Sequence, residues 1–236
     1  MQYGIQYSTV FDTDSYSNSD GDDMATSTLT PRRTQTREKL VDAAVWLFAE
    51  KGVLGASVEE ICERAEFTRG AFYSNFADKD ALCLAVLNRQ ADRELAATRT
   101  AVETVRDDVL EANTIDGLVE SALSVFLAAQ PRSSQDLVAG MELRLYAIRN
   151  PALRAPLLAL NEEMAGQIGG LLVAAVSGVG ASLNMPVDQA LDLLHAVYTH
   201  SGGTALLHGL EPDDRYRKSQ LTALLRSLVT ENEGRG

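Results

Sequence analysis

The sequence predicts an all-α fold. Apolar residues recur at helical spacing from Thr36 onward, and proline, glycine and polar turn residues separate the periodic stretches. No segment alternates between apolar and polar residues as a half-buried strand would. With 236 residues, 45% hydrophobic and 23% charged, the chain has the composition of a globular protein with one or two domains.

The first predicted helix begins near Thr36 and ends at Lys51-Gly52. Lysine suits the last turn of a helix, and glycine can adopt the left-handed conformation that ends one. The residues predicted to form its apolar face, spaced three and four apart, are Leu40, Ala43, Ala44, Leu47 and Phe48.

Two short helices and a tight turn follow. Ser57 and Glu60 have the spacing of a capping box, in which each side chain caps the other residue's backbone amide. Residues 65–68 separate this helix from another that starts at Thr68, where Phe72 and Phe76 would face the core. The arrangement predicts a helix-turn-helix, whose second helix can enter a major groove.

The outer face of that second helix carries groups suited to DNA. Arg69 can donate two hydrogen bonds to a guanine edge, and the Tyr73 hydroxyl can reach a phosphate. Gly70 is small enough to allow a close approach. Each residue alone would be an ordinary surface group, but their joint spacing favours DNA recognition.

At these positions the chain resembles the TetR family of bacterial transcriptional regulators. The similarity runs from Thr36 to Leu82, and the stretch that carries most of it is 68–76, Thr-Arg-Gly-Ala-Phe-Tyr-Ser-Asn-Phe, followed by Lys79. The sequence departs from the family at Glu66, where glycine is common in the turn, and at Asn75, where histidine is common. Glu66 is therefore expected to strain the turn.

The resemblance implies a division of labour among the DNA-binding residues. Bases would be contacted from the start of the recognition helix by Thr68, Arg69, Gly70 and Ala71. Phosphates would be contacted by Thr36, Ser57, Tyr73, Asn75 and Lys79.

The resemblance also divides the chain into domains. Residues 31–82 would form the DNA-binding domain and 83–236 a larger helical domain for ligand binding and dimerisation. Helices are predicted at about 80–105, 115–130, 135–149, 151–176, 187–208 and 214–230. Asn150-Pro151 is a favourable start for one of them, since asparagine caps a helix and proline suits its first position.

Family members build a homodimer from the last two long helices, two from each subunit. The sequence is compatible with this, because two apolar stripes run along them. The predicted interface residues are Leu191, Leu194, Tyr198, Gly202, Ala205, Leu221, Leu224, Leu225 and Leu228. The alternative is that these stripes are buried within one subunit. Gly202-Gly203 inside a helix costs roughly 1 kcal/mol per glycine, which a close helix approach would offset.

The middle helices of the family enclose a pocket for an unknown small-molecule effector. The candidates for its lining here are Phe126, Met141, Glu142, Leu145, Tyr146, Arg149, Met164 and His195, with Arg144 as a further polar group. Methionines and aromatic residues at helical spacing also fit a plain core.

The net charge of -12 is unevenly distributed. Residues 1–30 carry -5, residues 31–82 carry -1 and residues 83–236 carry -6, while the stretch 31–39 carries +3. The acidic surface would repel DNA everywhere except at this basic arm and the recognition helix. We expect 1–30 to be a disordered extension, and Met24 is a candidate for the native start.

Other classes of protein fit less well. The three histidines, at 195, 200 and 208, lack the spacing of a metal pair, and Cys62 and Cys83 match no zinc pattern. Gly178-Val179-Gly180 lacks the third glycine of a dinucleotide-binding loop. We expect no cofactor, no metal and no enzymatic activity.

The sequence thus predicts a cytoplasmic, ligand-responsive regulator that binds a palindromic double-stranded operator as a homodimer, and a repressor rather than an activator. Neither a signal peptide nor a membrane span is expected. Two alternatives remain: an architectural or nucleoid-associated DNA-binding protein without a sensor, and a nucleotide-cofactor enzyme.

Overall fold

Helices make up almost all of the protein in the computed structural model, which describes residues 31–112, 114–131, 133–178, 180–211 and 214–231. The predictions for 1–30 lie outside these residues. The elements in chain order are α1 (Pro31–Gly55), α2 (Val58–Arg64), α3 (Arg69–Tyr73), α4 (Lys79–Ala112), α5 (Ile115–Ala129), α6 (Ser134–Arg149), α7 (Pro151–Gly178), β1 (Ala181–Leu183), α8 (Val187–Leu207), α9 (Asp214–Leu228) and β2 (Val229–Glu231).

The all-α prediction is confirmed. The first helix already includes Pro31, so the basic arm is helical, whereas the sequence placed its start at Thr36. The predicted end at Lys51-Gly52 is a kink inside α1: the φ of Gly52 is 72°, in the left-handed region that glycine tolerates, and a last helical turn continues to Gly55. The long helix after the motif extends seven residues beyond the predicted end near 105.

A small antiparallel sheet was not predicted. Its strands β1 and β2 are three residues each, and Ser182 pairs with Thr230. Three residues are too few to show an alternating pattern, so the sequence carries no periodic signal for them. The sheet joins the end of α9 to the segment before α8.

The first core binds the helix-turn-helix to the rest of the chain. The helices α1–α3 and the start of α4 contribute most of it, including Phe48 and Phe72 with no exposed surface. Leu143 and Ala147 of α6 and Leu153 of α7 complete the same cluster. The predicted domain boundary at 82/83 therefore falls inside α4 and inside one continuous core.

A second core lies among α5, α6, α8 and α9. Leu194 and Tyr198 of α8 pack there with Leu221 and Leu225 of α9, all at most 3% exposed. These four side chains hold the last two helices of one protomer together. None of the helices within the described residues is both long and apolar enough to cross a bilayer.

Candidate nucleic-acid interface and central cavity

Helix α3 is anchored on one side and open on the other. The Thr68 hydroxyl accepts a hydrogen bond from the Ala71 amide and caps the helix. Phe72 and Phe76 are buried on the inner face, with ring centroids 5.7 Å apart. On the outer face Tyr73 is 51% exposed. The helix therefore presents the residues that the sequence assigned to DNA.

The turn before α3 keeps a left-handed residue at the position where the family favours glycine. Glu66 has φ of 61°, and its amide donates to the Glu63 carbonyl while the Phe67 amide donates to the Cys62 carbonyl. A side chain in this conformation costs about 1–2 kcal/mol, so the turn holds a strained residue in place. The expected strain at Glu66 thus has a structural basis, and the turn forms nonetheless.

Arg69 forms an ion pair that the sequence did not predict. Its Nη1 lies 2.8 Å from Oε1 of Glu59 on α2, and both side chains are more than half exposed. Such an exposed pair contributes less than about 1 kcal/mol. The guanidinium is thereby oriented at the outer surface of the motif, and Glu59 can be exchanged for a base edge at little cost.

The basic arm lies against the far end of the recognition helix. Nη2 of Arg33 donates to the Ser74 carbonyl over 3.1 Å, and Nη1 of Arg37 donates to the Asn75 carbonyl over 2.6 Å. The Arg37 guanidinium also lies 4.3 Å from the centroid of the Phe76 ring. These contacts place two positive charges beside α3, where the sequence could show only a basic stretch.

Most of the predicted phosphate ligands already have partners within the protein. The Ser57 hydroxyl caps α2 by accepting from the Glu60 amide, and the Thr36 hydroxyl donates to the Arg32 carbonyl. The Asn75 amide nitrogen donates to the Ala71 carbonyl, whereas its Oδ1 is buried without a hydrogen bond. Their phosphate contacts, like the base contacts, stay predictions.

Lys79 has a structural role that the sequence did not reveal. Its Nζ donates to the carbonyls of Val53 and Ala56 over 2.9 and 3.2 Å. Carbonyl groups at the end of a helix lack partners within the helix, and a cation satisfies them. A phosphate contact from Lys79 would have to share its ammonium group with these carbonyls.

Two adjoining cavities lie behind the motif, among the helices of the larger region. One of about 130 Å³ lies among α4, α6, α7 and α8, and four predicted ligand-binding residues, Met141, Arg144, Met164 and His195, line it. The other, of about 290 Å³, lies between α4 and the α5–α6 connection. They share the lining residues Gln90, Glu94, Pro131, Asp136 and Gly140, so we treat them as one central cavity.

The remaining predicted ligand-binding residues lie elsewhere. Phe126 packs in the second core, its ring centroid 6.1 Å from that of Tyr198. The others line a groove between α6 and the end of α1: Glu142, Leu145, Tyr146 and Arg149. The prediction placed both faces of α6 in one pocket. Helical spacing identifies the faces but not which neighbour each one meets, so these five assignments to the central cavity are corrected.

Sequence reasoning missed the polar groups of α4 in the cavity. Gln90 Nε2 donates to Oε1 of Glu94 over 3.0 Å, one helical turn apart. Burial raises the pKa of the Glu94 carboxyl, and the Gln90 hydrogen bond opposes this. The spacing of the pair was visible in the sequence, but its burial depends on α6 and the α5–α6 connection packing against α4.

His195 is held in its neutral form. Burial, followed by the charge of Arg144, lowers its pKa, while Asp192 acts in the opposite direction. Since an ordinary histidine titrates near 6.5, a lowered value leaves the imidazole uncharged at neutral pH. His195 can therefore donate or accept a hydrogen bond in the cavity without adding charge.

Most of the predicted dimer residues are buried within the protomer. The ones that are buried there are Leu194, Tyr198, Gly202, Leu221, Leu225 and Leu228. A different face of α8 is open, with Leu193 40% and Leu207 89% exposed and with exposed Ala196 and His200 between them. The two apolar stripes predicted as the dimer interface instead pack α8 against α9. Core residues have the most regular apolar spacing, so the pattern in the sequence identified them first.

Gly202 owes its presence to packing within the chain. A Cβ there would lie 2.5 Å from Cδ2 of Leu137 on α6 and 2.6 Å from Nη2 of Arg217 on α9. At Gly203 the nearest atom would be Met141 Cε at 3.7 Å, an ordinary contact. The close approach expected at this pair therefore occurs inside one protomer at Gly202.

Helix α6 connects the cavity with the motif. At its cavity end it contributes Leu137, Gly140 and Met141, and at its other end it reaches the first turn of α4. There the Tyr146 hydroxyl donates to Oδ1 of Asp80 over 2.8 Å. Nδ2 of Asn150, the residue after α6, donates to the other oxygen of the same carboxylate, also over 2.8 Å.

The metal site and the dinucleotide-binding loop considered from the sequence can be compared with the structure. Among the described residues no group of three or more histidine, cysteine or acidic side chains could hold a metal ion. In the part of the chain that the structure describes, Gly178 ends a helix, α7, and Gly180 precedes a strand whose partner β2 is antiparallel, which is not the parallel strand-loop-helix of a dinucleotide-binding loop.

Comparisons with known proteins agree on one family. The model for bacterial regulatory proteins of the tetR family matches residues 40–86. The regulator UidR of Escherichia coli K12 is 25% identical over 198 residues, 82% of this chain and 91% of UidR. The class D tetracycline repressor of Escherichia coli is 25% identical over 201 residues, 80% of this chain and 92% of the repressor.

The fold agrees as well. A member of the TetR family from Streptomyces coelicolor A3 has a structure that is 28% identical, with a TM-score of 0.54 over 80% of this chain and 97% of that one. The matched region 40–86 contains α2, α3 and the strained turn between them. The exposed recognition helix, the helical region behind it and these similarities assign the chain to the TetR family of DNA-binding transcriptional regulators.

Proposed function

We propose that the protein is a homodimeric repressor that a small molecule in the central cavity releases from a palindromic operator. The observation that carries this proposal is that α6 contacts both sites: it lines the cavity and its far end is hydrogen-bonded to Asp80. Asp80 lies in the first turn of α4, immediately after the recognition motif. A shift of α6 therefore reaches the motif through a polar contact and the shared first core.

On DNA, α3 would lie in the major groove. Arg69 is the residue best suited to a guanine, since its fork can form two hydrogen bonds to O6 and N7. Thr68, Gly70 and Ala71 would approach the same base edges. Tyr73, Asn75, Lys79, Ser57 and Thr36 would face the backbone, and Arg33 and Arg37 would add charge beside them.

The dimer would use the open face of α8. Leu193, Ala196, His200 and Leu207 recur at intervals of three, four and seven residues, so they share one side of the helix. Two such helices packed across a two-fold axis would bury this side and orient two recognition helices symmetrically. Half-sites on a palindromic operator are about 34 Å apart, which fixes the separation that the dimer must provide.

Release would follow from a population shift. A ligand that fits the cavity only when α6 has moved favours a dimer whose recognition helices have the wrong spacing. DNA and ligand then bind different states and weaken each other by the same factor. Similarity to the class D tetracycline repressor, which is named as a repressor, supports repression over activation.

The experiment is a mobility-shift titration with DNA from upstream of the protein's own gene, at moderate salt. We expect a saturable complex that unrelated DNA of equal length does not displace. Equal displacement by unrelated DNA would instead support an architectural protein and would contradict the proposal.

The coupling has its own test in Tyr146→Phe, which removes only the hydroxyl that binds Asp80. We expect unchanged folding and altered operator affinity. A matched control is Thr114→Ala, which likewise removes one hydroxyl, the one that caps α5 by accepting from the Gly117 amide. If both variants bind the operator as the wild type does, Asp80 is not part of the link.

A further inference from the structure

We propose that the ligand of the central cavity is a small organic cation with a protonated amine, and that Glu94 is its counter-ion. This inference rests on the proposed effector role of the cavity and adds the chemical class of the ligand. It is carried by the position of one carboxylate and by the state of the charges around it.

Glu94 is placed where a ligand in either part of the cavity would meet it. It lines both adjoining volumes, and burial raises the pKa of its carboxyl. Its hydrogen bond comes from the neutral amide of Gln90. Among the residues that the structure describes, no lysine, arginine or histidine nitrogen lies within 4.0 Å of this carboxylate.

Three arginines also line the cavity, and each is either paired with another carboxylate or exposed. Arg89 forms ion pairs with Glu38 and Asp42 at 3.2 and 2.6 Å. Arg93 and Arg144 are exposed. These three cations therefore leave the charge of Glu94 uncompensated inside the cavity.

The other titratable groups of the lining do not change this balance. His195 is neutral at neutral pH because its pKa is lowered. Asp136 adds a second negative charge, although its carboxylate and amide both hydrogen-bond to Ser133 at the start of α6. The lining thus holds two carboxylates and three arginines, and because the arginines are exposed or paired elsewhere, Glu94 keeps a charge without a counter-ion.

A buried carboxylate without a cation costs free energy that a cationic ligand would recover. The charge has lost part of its hydration, and an ammonium group beside it would restore favourable electrostatics in a medium of low dielectric constant. A neutral ligand leaves the charge as it is, and an anion adds repulsion. The part of the cavity beside Glu94 therefore favours a cation over a neutral or anionic group.

The rest of the cavity suits an apolar body of modest size. Leu87, Met141, Leu157, Leu160 and Met164 line the smaller volume together with Glu94, and methionine adapts to different shapes. The face of the Tyr198 ring is already covered by Arg217, whose Cζ lies 4.4 Å from the ring centroid. The attraction for a cation would therefore come from the carboxylate and not from an aromatic cage.

The test uses matched probes on the full-length protein. Primary alkylammonium ions of increasing chain length are titrated by calorimetry at neutral pH, alongside the alcohol and the carboxylate of each length. We expect at least one ammonium ion to bind roughly tenfold or more tightly than its alcohol, and no carboxylate to bind better than its alcohol. Ammonium ions that bind no better than alcohols would overturn the proposal.

Variants locate the binding. Glu94→Gln keeps the shape of the side chain and its bond to Gln90, and should reduce the affinity for the ammonium ion by roughly tenfold or more. Glu103→Gln changes an exposed carboxylate on the same helix and should bind as the wild type does. Undiminished binding in Glu94→Gln would overturn the assignment to Glu94.

A second readout separates this inference from the proposed function. If the ammonium ion binds through Glu94 but leaves operator affinity unchanged, the cation site stands and the effector role fails. If a neutral or anionic compound releases the operator and Glu94→Gln responds to it equally, the effector role stands and the cation inference fails.

Discussion

The helix-turn-helix (the recognition motif) and the central cavity differ in how completely their interiors are packed and their polar groups are paired. Around the motif, Phe48, Phe72 and Ile61 have no exposed surface, and the ends of α1, α2 and α3 are capped by Lys79, Ser57 and Thr68. Around the cavity, two empty volumes remain, and a carboxylate lacks a cation.

The difference shows that the two regions need opposite kinds of packing for their roles. A recognition helix of five residues cannot hold itself in place, because isolated helices this short do not form in water. It depends on dense packing and on caps. A cavity for a ligand requires the reverse, since unfilled space and an unpaired charge cost stability in the free protein and favour the bound one.

The largest expected contrast is between two phenylalanines. Phe72→Ala removes a fully buried ring that anchors α3, and should lower the free energy of unfolding by about 3–5 kcal/mol. Phe126→Ala removes a half-buried ring beside the second core and should cost clearly less. Urea denaturation measures both. Equal losses would remove the distinction between a dense motif and a looser second region.

A smaller effect is expected at the strained turn. Glu66→Gly should raise the free energy of unfolding by about 1 kcal/mol, because glycine adopts a positive φ without the steric cost of a side chain. The control is Glu63→Gly, in the last turn of α2, which should be destabilising by about as much. A destabilising Glu66→Gly would show that the turn is not strained in solution.

Two glycines in long helices should respond differently to alanine. Gly166→Ala in α7 meets no atom within 4 Å and should stabilise the protein by up to about 1 kcal/mol through helix propensity. Gly202→Ala brings a Cβ against Leu137 and Arg217 and should lose this gain. Thermal unfolding of the two variants provides the comparison. A stabilising Gly202→Ala would mean that Leu137 and Arg217 move aside at little cost in free energy.

The smallest effect concerns Glu94, because the hydrogen bond from Gln90 already favours its charged form. Its folded pKa lies above the unfolded value, so the folded state binds the proton more tightly. Stability should fall as pH rises from about 4.3 through the folded pKa, and the penalty is complete above it. Glu94→Gln should therefore be more stable than wild type at neutral pH and lose this difference in acid.

The result at Glu94 also bears on function. A variant that is more stable yet binds the ammonium ion less tightly would show that the carboxylate is kept for binding at a cost in stability. If Glu94→Gln is less stable at neutral pH, the carboxylate supports the fold, and the contrast between the two regions weakens.

Sequence reasoning succeeded where the signal was local. The capping box of Ser57 and Glu60 joins residues three positions apart and was predicted from their spacing, and the left-handed conformation of Gly52 was predicted from its residue type. Glu66 was identified because it stands where the family commonly has glycine, the residue that a left-handed turn favours.

It failed where the answer depended on distant contacts. Lys79 binds carbonyls 26 and 23 residues away, and Glu142 faces Gly52 instead of the cavity. The stripes on α8 and α9 were read as a dimer interface, but a helical period does not say whether an apolar face meets the same chain or another. The exposure of Leu193 and Leu207 follows from the packing of the core and could not be predicted from helical spacing.

The most direct test of the central claim is a selection of bound sequences from random double-stranded DNA at about 0.15 M salt, where non-specific phosphate binding is weak. We predict that the wild type enriches an inverted repeat and that Arg69→Ala loses the preference at one position in each half-site, at a cost of about 1–3 kcal/mol. Glu59→Gln, which frees Arg69 of its partner, should retain the repeat. A pool that shows no inverted repeat with the wild type, or the same repeat with Arg69→Ala, would contradict the account of this protein as a dimeric regulator that reads DNA with α3.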